Sequence, residues 1–195
     1  MNKIKISTFL YLIISVLLYS CMPNIPRYKT NYQEKLSNEE IISKFKKYGS
    51  VYYLNFKSSM FPHKDRKKGY VFEKVFYPSY FHYGPNPTAI FIPKGFKKNK
   101  TTNLIIFFHG WYTTVNNFIV RHSIIPQFIY SRKNAILVFP PGPRLAPDSF
   151  GGKFEEGGVF AKFISELQLQ LSKRDIIKIK KGASIHLAGF SGGYR

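Results

Sequence analysis

SIHLAGFSGGYR, residues 184–195, is the most informative segment of this sequence for its fold class. Its apolar run leads directly into Gly189-Phe190-Ser191-Gly192-Gly193. A strand that enters a helix through so tight a turn holds its serine in strained backbone, with the hydroxyl exposed at the end of the sheet. Gly189 and Gly193 lack a Cβ, so strand and helix can approach closely there. Five residues alone also fit an ordinary glycine-rich turn, so the interpretation depends on the rest of the chain.

Apolar strands alternate with helices from residue 103 to residue 190. Leu104–Phe108 and Ala135–Phe139 are continuous apolar runs, typical of strands buried on both faces of a parallel sheet. Helices are predicted over Asn116–Tyr130 and Val159–Leu171, where apolar residues recur at helical spacing. The pattern predicts an α/β fold with a mainly parallel sheet and helices on both faces.

The preceding part of the chain predicts one helix and several short strands. Ser37-Asn38-Glu39-Glu40 is a capping box that opens an amphipathic helix through Lys47, with Ile41, Ile42 and Phe45 on one face. The aromatic region 51–93 predicts short strands. One is formed by Val71 and Phe72 together with Val75–Tyr77, and another by Ala89–Pro93.

His109-Gly110-Trp111 follows the strand Leu104–Phe108. A glycine at this point lets the backbone approach a substrate carbonyl, and the next N–H can donate to its developing negative charge. The backbone N–H groups of Trp111 and Gly192 would be the two donors of such an oxyanion hole. His109 and Gly110 would shape the loop, with His109 structural and not a catalytic base. A turn without chemistry is the alternative for this tripeptide.

Three segments resemble the α/β-hydrolase superfamily in order and spacing: FHGW at 108–111, PPGP at 140–143 and GFSGG at 189–193. The similarity covers about residues 103–195. It implies Ser191 as the nucleophile of a serine esterase or lipase-like enzyme, with an acid and a His later in the chain. The strands between residues 51 and 93 would form an antiparallel N-terminal edge.

The sequence contains no Asp, Glu or His after Ser191 that could complete the triad. The chain is therefore expected to be the N-terminal part of a serine hydrolase for esters or amides, truncated just after the elbow and inactive or nearly so. The alternative is a non-catalytic envelope lipoprotein that binds a partner or glycan with a hydrolase-derived fold.

The loop Pro140–Gly152 supplies further candidates. Arg144 and Asp148 would contact a polar substrate group, or Asp148 would cap a turn with Ser149. His186 is expected in the core and His122 on a helix surface. The five His and one Cys form no ligand cluster, so neither a metal nor another cofactor is expected.

The N-terminus predicts export. Lys3 and Lys5 precede the apolar run Phe9–Leu18, which is shorter than the roughly 20 residues that span a bilayer. Cys21 lies where a bacterial lipoprotein signal carries its lipidated cysteine; a signal anchor with an incidental cysteine is the alternative. We expect a signal peptide at 1–20, a tether at 21–35 and a partial hydrolase domain at 36–195. Lipidated Cys21 would hold the protein on a membrane of the bacterial cell envelope.

The formal net charge of +20 favours anionic surfaces, acidic glycans or nucleic acid. The basic residues are dispersed along the chain, however. Abundant Lys beside many Ile, Asn, Phe and Tyr is also what an A/T-rich coding sequence gives without selection for a binding partner. Nucleic acid is not expected as a partner, since no binding motif is present. A small-molecule or glycan ester is the expected substrate of the completed enzyme.

Overall fold

The computed structural model describes residues 36–97, 102–177 and 183–194. The predicted signal peptide, Cys21 and the tether lie outside these ranges and remain predictions. The strands are β1 (Gly49–Leu54), β2 (Tyr70–Phe72), β3 (Val75–Tyr77), β4 (Thr88–Pro93), β5 (Asn103–Phe108), β6 (Ala135–Phe139) and β7 (Ser184–Gly189). The helices are α1 (Asn38–Phe45), α2 (Ser79–His82), α3 (Val115–Arg121), α4 (Ile124–Tyr130) and α5 (Val159–Lys173), with 3₁₀ turns at Lys64–Arg66, Gly152–Glu155 and Ser191–Tyr194.

Five strands form one mixed sheet in the order β1-β4-β6-β5-β7. β4 runs antiparallel to both of its neighbours, whereas β5 runs parallel to β6 and to β7. The register places Ile105 between Leu137 on one side and His186 on the other. The predicted α/β class is confirmed, with an antiparallel region formed by the N-terminal strands and a parallel region beside it.

The sheet is covered on both faces because its central strands are apolar on both faces. On one face Phe91, Leu137 and Phe139 pack in a cluster that includes residues of α1, α3 and α4. On the other, Ile106 and Val138 pack in a cluster with α5. Alternate residues of β6 thus enter opposite cores, and all five of its side chains are buried.

Helix α1 begins where the capping box predicts. The Glu40 N–H donates to Ser37 Oγ at 3.2 Å, and the Ser37 N–H donates to Glu40 Oε2 at 2.6 Å. Ile41 and Phe45 are buried, but Ile42 is exposed and does not share their face.

The residues predicted as one strand over 71–77 form a two-stranded antiparallel hairpin, β2–β3. The chain reverses at Glu73 and Lys74, which both have positive φ (47° and 66°). Two consecutive left-handed residues make the tight turn that joins antiparallel strands. Neither turn residue is Gly or Asn, the types that favour left-handed backbone. The prediction of a single strand over 71–77 was therefore wrong.

The single helix predicted over 116–130 is two helices, α3 and α4, separated at His122 and Ser123. Ser123 has φ 48°, and Pro126 lies in the first turn of α4. A continuous helix would require an N–H on residue 126 to bond the His122 carbonyl, and proline has none. The side-chain amide of Gln127 donates to that carbonyl instead, at 2.7 Å.

β7 lies at the edge of the sheet as described, and the side chains of residues 184–187 are exposed. His186, expected in the core, is therefore exposed, because side chains stand perpendicular to the sheet and neither core cluster of the described residues extends over β7. Among the helices in these ranges, none has the length and apolar character needed to cross a membrane.

Candidate active site

Ser191 follows β7 in strained backbone. Its φ is 53°, in the left-handed region that residues with a Cβ rarely adopt. The Phe190 N–H donates to the carbonyl of Phe108 at 3.1 Å, which ties the turn to the end of β5. A Cβ on Gly193 would lie 2.6 Å from the carbonyl oxygens of Phe108 and His109, so only glycine permits this approach.

The loop after β5 lies against this turn. β5 is the third strand of the main sheet in chain order, and His109-Gly110-Trp111 follows it. A Cβ on Gly110 would lie 2.9 Å from the Cβ of Ser191 and 2.8 Å from the Phe190 carbonyl oxygen. The fold therefore brings the two glycine-containing motifs of the sequence into direct contact.

Two backbone donors at this contact are unused. Within the described residues, neither the Trp111 N–H nor the Gly192 N–H donates to a protein acceptor. The residues that follow them are satisfied: Tyr112 N–H donates to Ala146, and Gly193 N–H donates to Phe190. Trp111 is exposed and Gly192 is half-buried. Two N–H groups without a protein acceptor, on segments that meet beside a serine, are available to an oxyanion.

His109 joins the loop after β5 to the loop after β6. Its ring is buried; the Gly142 N–H donates to Nε2 at 3.1 Å, and Nδ1 donates to the Gly110 carbonyl at 2.8 Å. These partners assign the neutral tautomer with its proton on Nδ1. Burial lowers the pKa of His109, and the bond to the Gly110 carbonyl opposes this shift in part. Both ring nitrogens are thus occupied away from Ser191.

The Trp111 side chain covers the elbow. A Cβ on Gly192 would collide with its indole ring. The indole Nε1–H donates to Ser149 Oγ at 2.8 Å, and the ring meets Phe72 of β2 edge-on, with centroids 5.6 Å apart. The sequence does not predict the contacts of Trp111 with Ser149 and Phe72, because they join distant segments and leave no local pattern.

Asp148 is held by protein groups. Arg66 donates from Nε to Oδ2 at 2.7 Å and from Nη2 to Oδ1 at 3.2 Å, and the Phe150 N–H donates to Oδ1 at 2.9 Å. The Asp148 side chain is 5% exposed. Both oxygens are therefore engaged in an ion pair and a turn cap, next to the Ser149 that holds Trp111.

Arg144 lies apart from the elbow. It lines a separate cavity of about 270 Å³ with Tyr53 and Asn116 among its walls. Its backbone is bridged to His82: the Arg144 N–H donates to the His82 carbonyl at 2.9 Å, and His82 Nδ1 lies 2.6 Å from the Arg144 carbonyl oxygen. The structure therefore does not bring Arg144 to the cavity beside Ser191.

A cavity of about 470 Å³ opens beside the elbow. Gly192 and Gly193 form one part of its wall, and Leu187 of β7 forms another. The opposite wall carries Ser149 and a group of aromatic side chains: Phe108, Phe150, Phe154 and Phe160. Its volume and largely apolar lining are those of a small-molecule site.

No histidine is bonded to the Ser191 hydroxyl among the described residues, which include all five His of the chain. His63 Nε2 lies 2.9 Å from Glu156 Oε1. The His122 ring is half-buried, not on the surface as expected, and its centroid lies 4.2 Å from that of Phe190. Burial and the neighbouring Arg121 lower the pKa of His122.

Across the described residues, no three His, Cys, Asp or Glu side chains are arranged to hold a metal ion.

No protein-family model and no curated protein matches this chain. Among solved structures, a ferulic acid esterase of the anaerobic fungus Anaeromyces mucronatus, determined without substrate, is similar over 88% of this chain and 56% of its own. The sequence identity is 16% and the TM-score 0.40. The chain thus spans about half the length of that esterase.

Proposed function

We propose that residues 36–195 carry the nucleophile half of a serine hydrolase acting on esters or amides, with Ser191 as the nucleophile. One observation supports this most strongly. The strained Ser191 lies against Gly110, between two segments whose Trp111 and Gly192 N–H groups lack protein acceptors. An ordinary glycine-rich turn requires neither the strain nor the free donors.

The chemistry follows from this arrangement. Ser191 Oγ attacks the carbonyl carbon, and the oxyanion that forms accepts hydrogen bonds from the two free N–H groups. Each such donor typically lowers the barrier by about 3 kcal/mol. A base takes the Ser191 hydroxyl proton during the attack and returns it to the alcohol or amine as the C–O or C–N bond breaks. Water then hydrolyses the acyl-serine, which releases the carboxylic acid and regenerates Ser191. The cavity of about 470 Å³ would receive one side of the substrate.

A serine requires a base, because its hydroxyl is almost fully protonated at neutral pH. His109 has both nitrogens occupied, and no other His bonds to Ser191 within the described residues. The proposal therefore assigns the base and its acid to polypeptide outside these 195 residues. By itself the 195-residue chain would be inactive or nearly so, since loss of a triad member costs several orders of magnitude in rate.

The location is proposed from the sequence alone. A signal over residues 1–20 would direct export, and lipidated Cys21 would hold the domain on the surface of an envelope membrane. The substrate would then be a small-molecule or glycan ester within reach of that surface.

A fluorophosphonate probe tests the proposal, because it phosphonylates activated serines. We expect the protein at its full natural length to be labelled, and Ser191→Ala to abolish the label. Ser165→Ala is the matched control, since Ser165 is exposed on α5 and bonds its own helix. The 195-residue chain should stay unlabelled. A folded full-length protein that is never labelled would contradict the proposal and favour the non-catalytic alternative.

A further inference from the structure

Exposed apolar side chains are concentrated on the β2–β3 hairpin and the adjoining α2. Val71, Phe76, Tyr80 and Phe81, here called the hairpin patch, are between 40% and 86% exposed. Scattered exposed apolar residues are normal, but four large ones within eleven residues of chain indicate an interaction site.

The strand register shows that the centre of this patch faces outward. Tyr70 pairs with Tyr77 across the hairpin, and both pack against the core cluster of Met60, Phe61, Tyr83 and Ala146. Val71 pairs with Phe76 on the opposite face, where the two are 60% and 58% exposed. A two-stranded ribbon with one face on the core ordinarily places polar residues on the other face. Here an aromatic and a β-branched side chain take that position.

Lysines outnumber acids in the chain next to the hairpin patch. Lys64, Lys67, Lys68 and Lys74, which precede β2 or lie in the hairpin turn, are exposed, against two exposed acids, Asp65 and Glu73. Within the described part of the chain none of these lysines is in an ion pair. Apolar and aromatic side chains beside lysines are the composition that binds the interface of an anionic bilayer.

We infer that the hairpin patch docks on an anionic lipid surface, with its apolar side chains among the headgroups and its lysines against lipid phosphates. The patch adjoins the candidate active site, since Phe72 of the same hairpin contacts Trp111, which covers Gly192. Docking would therefore present the elbow cavity close to the membrane. This inference does not rest on the chemistry of Ser191, because surface binding involves no reaction.

Tryptophan depth measurement tests the inference on the 195-residue chain. Trp111 is the single tryptophan of these 195 residues, so Trp111→Phe gives a silent background. Phe76→Trp then reports from the patch, and Tyr130→Trp is the matched control, since Tyr130 is 77% exposed on α4. Both proteins are bound to vesicles of phosphatidylcholine and phosphatidylglycerol whose acyl chains are brominated. A lipid-modified N-terminus would hold both variants on the vesicle equally.

We expect brominated lipid to quench the Phe76→Trp variant about threefold or more above the Tyr130→Trp variant, since interfacial residues enter the bilayer by about 5–10 Å. Lys67→Gln with Lys68→Gln should reduce the quenching of Phe76→Trp, as should vesicles of phosphatidylcholine alone. Equal quenching of the two variants would overturn the inference. So would a Phe76→Trp variant that is protected from lipid and forms a dimer in light scattering, because the patch would then bind a second copy.

Discussion

Gly110 faces Ser191 so closely that a Cβ built on the glycine would lie 2.9 Å from the Cβ of the serine. The two residues lie two positions beyond the ends of neighbouring parallel strands, β5 and β7, whose register pairs Phe108 with Gly189. The carboxyl ends of parallel strands meet at one edge of the sheet, which is where α/β folds bind ligands. This contact brings together the two segments that carry the free Trp111 and Gly192 N–H groups, next to Ser191.

Gly110→Ala should impair the site more than it impairs the fold. The added methyl group must displace Ser191 or the Phe190 carbonyl, and overpacking of this kind costs about 1–3 kcal/mol of stability. Because small misplacements of reacting groups are costly, the fluorophosphonate labelling rate of the full-length protein should fall by about tenfold or more.

Gly157→Ala is the control for this variant, since nothing lies within 4 Å of a Cβ at Gly157 and its φ is not positive. It should leave both the melting temperature and the labelling rate unchanged. A Gly110→Ala protein with the parent's labelling rate would show that the loop after β5 plays no part in the reaction.

Asp148→Asn should destabilise the fold. The change removes the negative partner of Arg66, whose guanidinium also lies 4.4 Å from the centroid of the Phe150 ring. Leaving one charge of a buried pair without its partner costs several kcal/mol; because Arg66 is partly exposed, we expect about 2–4 kcal/mol. Urea unfolding measures the difference. Asp175→Asn, at an exposed position, should change the free energy of unfolding by less than about 0.5 kcal/mol.

His109 should make the stability depend on pH. Burial lowers its pKa in the folded state, so as pH falls below about 6.5 the unfolded chain takes up a proton that the folded chain does not. Stability due to this residue is therefore lost as pH falls below about 6.5, by at most about 1.4 kcal/mol per pH unit, until the folded-state pKa is reached.

Urea midpoints between about pH 7.5 and 5.5 test this, since the window brackets the ordinary histidine pKa. His109→Gln does not titrate and keeps an acceptor for the Gly142 N–H, so its stability should vary less with pH than that of the parent. His186→Gln, at an exposed position on β7, should retain the parent's slope. If the parent and His109→Gln have the same slope, His109 is not held neutral by the fold.

The sequence predicts those elements whose determinants are local. α1 is marked by its capping box, β6 by a continuous apolar run, and α5 by helical periodicity. The hairpin at Glu73 and Lys74 was missed because neither residue type favours left-handed backbone. Pro126 indicates the break before α4, but a prediction from helical periodicity alone does not take the proline into account.

Candidate site residues were predictable where a short motif carries them, as at Ser191 and Gly110. Their partners were not, because contacts between distant segments leave no local pattern. Arg66 and Asp148 are 82 residues apart, and Trp111 and Ser149 are 38 apart. The loop position of Asp148 predicts substrate contact, but it carries no sign of the ion pair that the carboxylate forms with the partly exposed Arg66.

The assignment of Ser191 as the nucleophile is tested by locating the serine that reacts. The full-length protein is treated with a fluorophosphonate, digested, and the adduct located by peptide mass spectrometry. Ser149 provides an internal comparison, since it lines the same cavity as Gly192 and Gly193. We expect an adduct on Ser191 and none on Ser149. An adduct on Ser149 or another serine, with Ser191 unmodified in folded protein, would rule out Ser191 as the nucleophile.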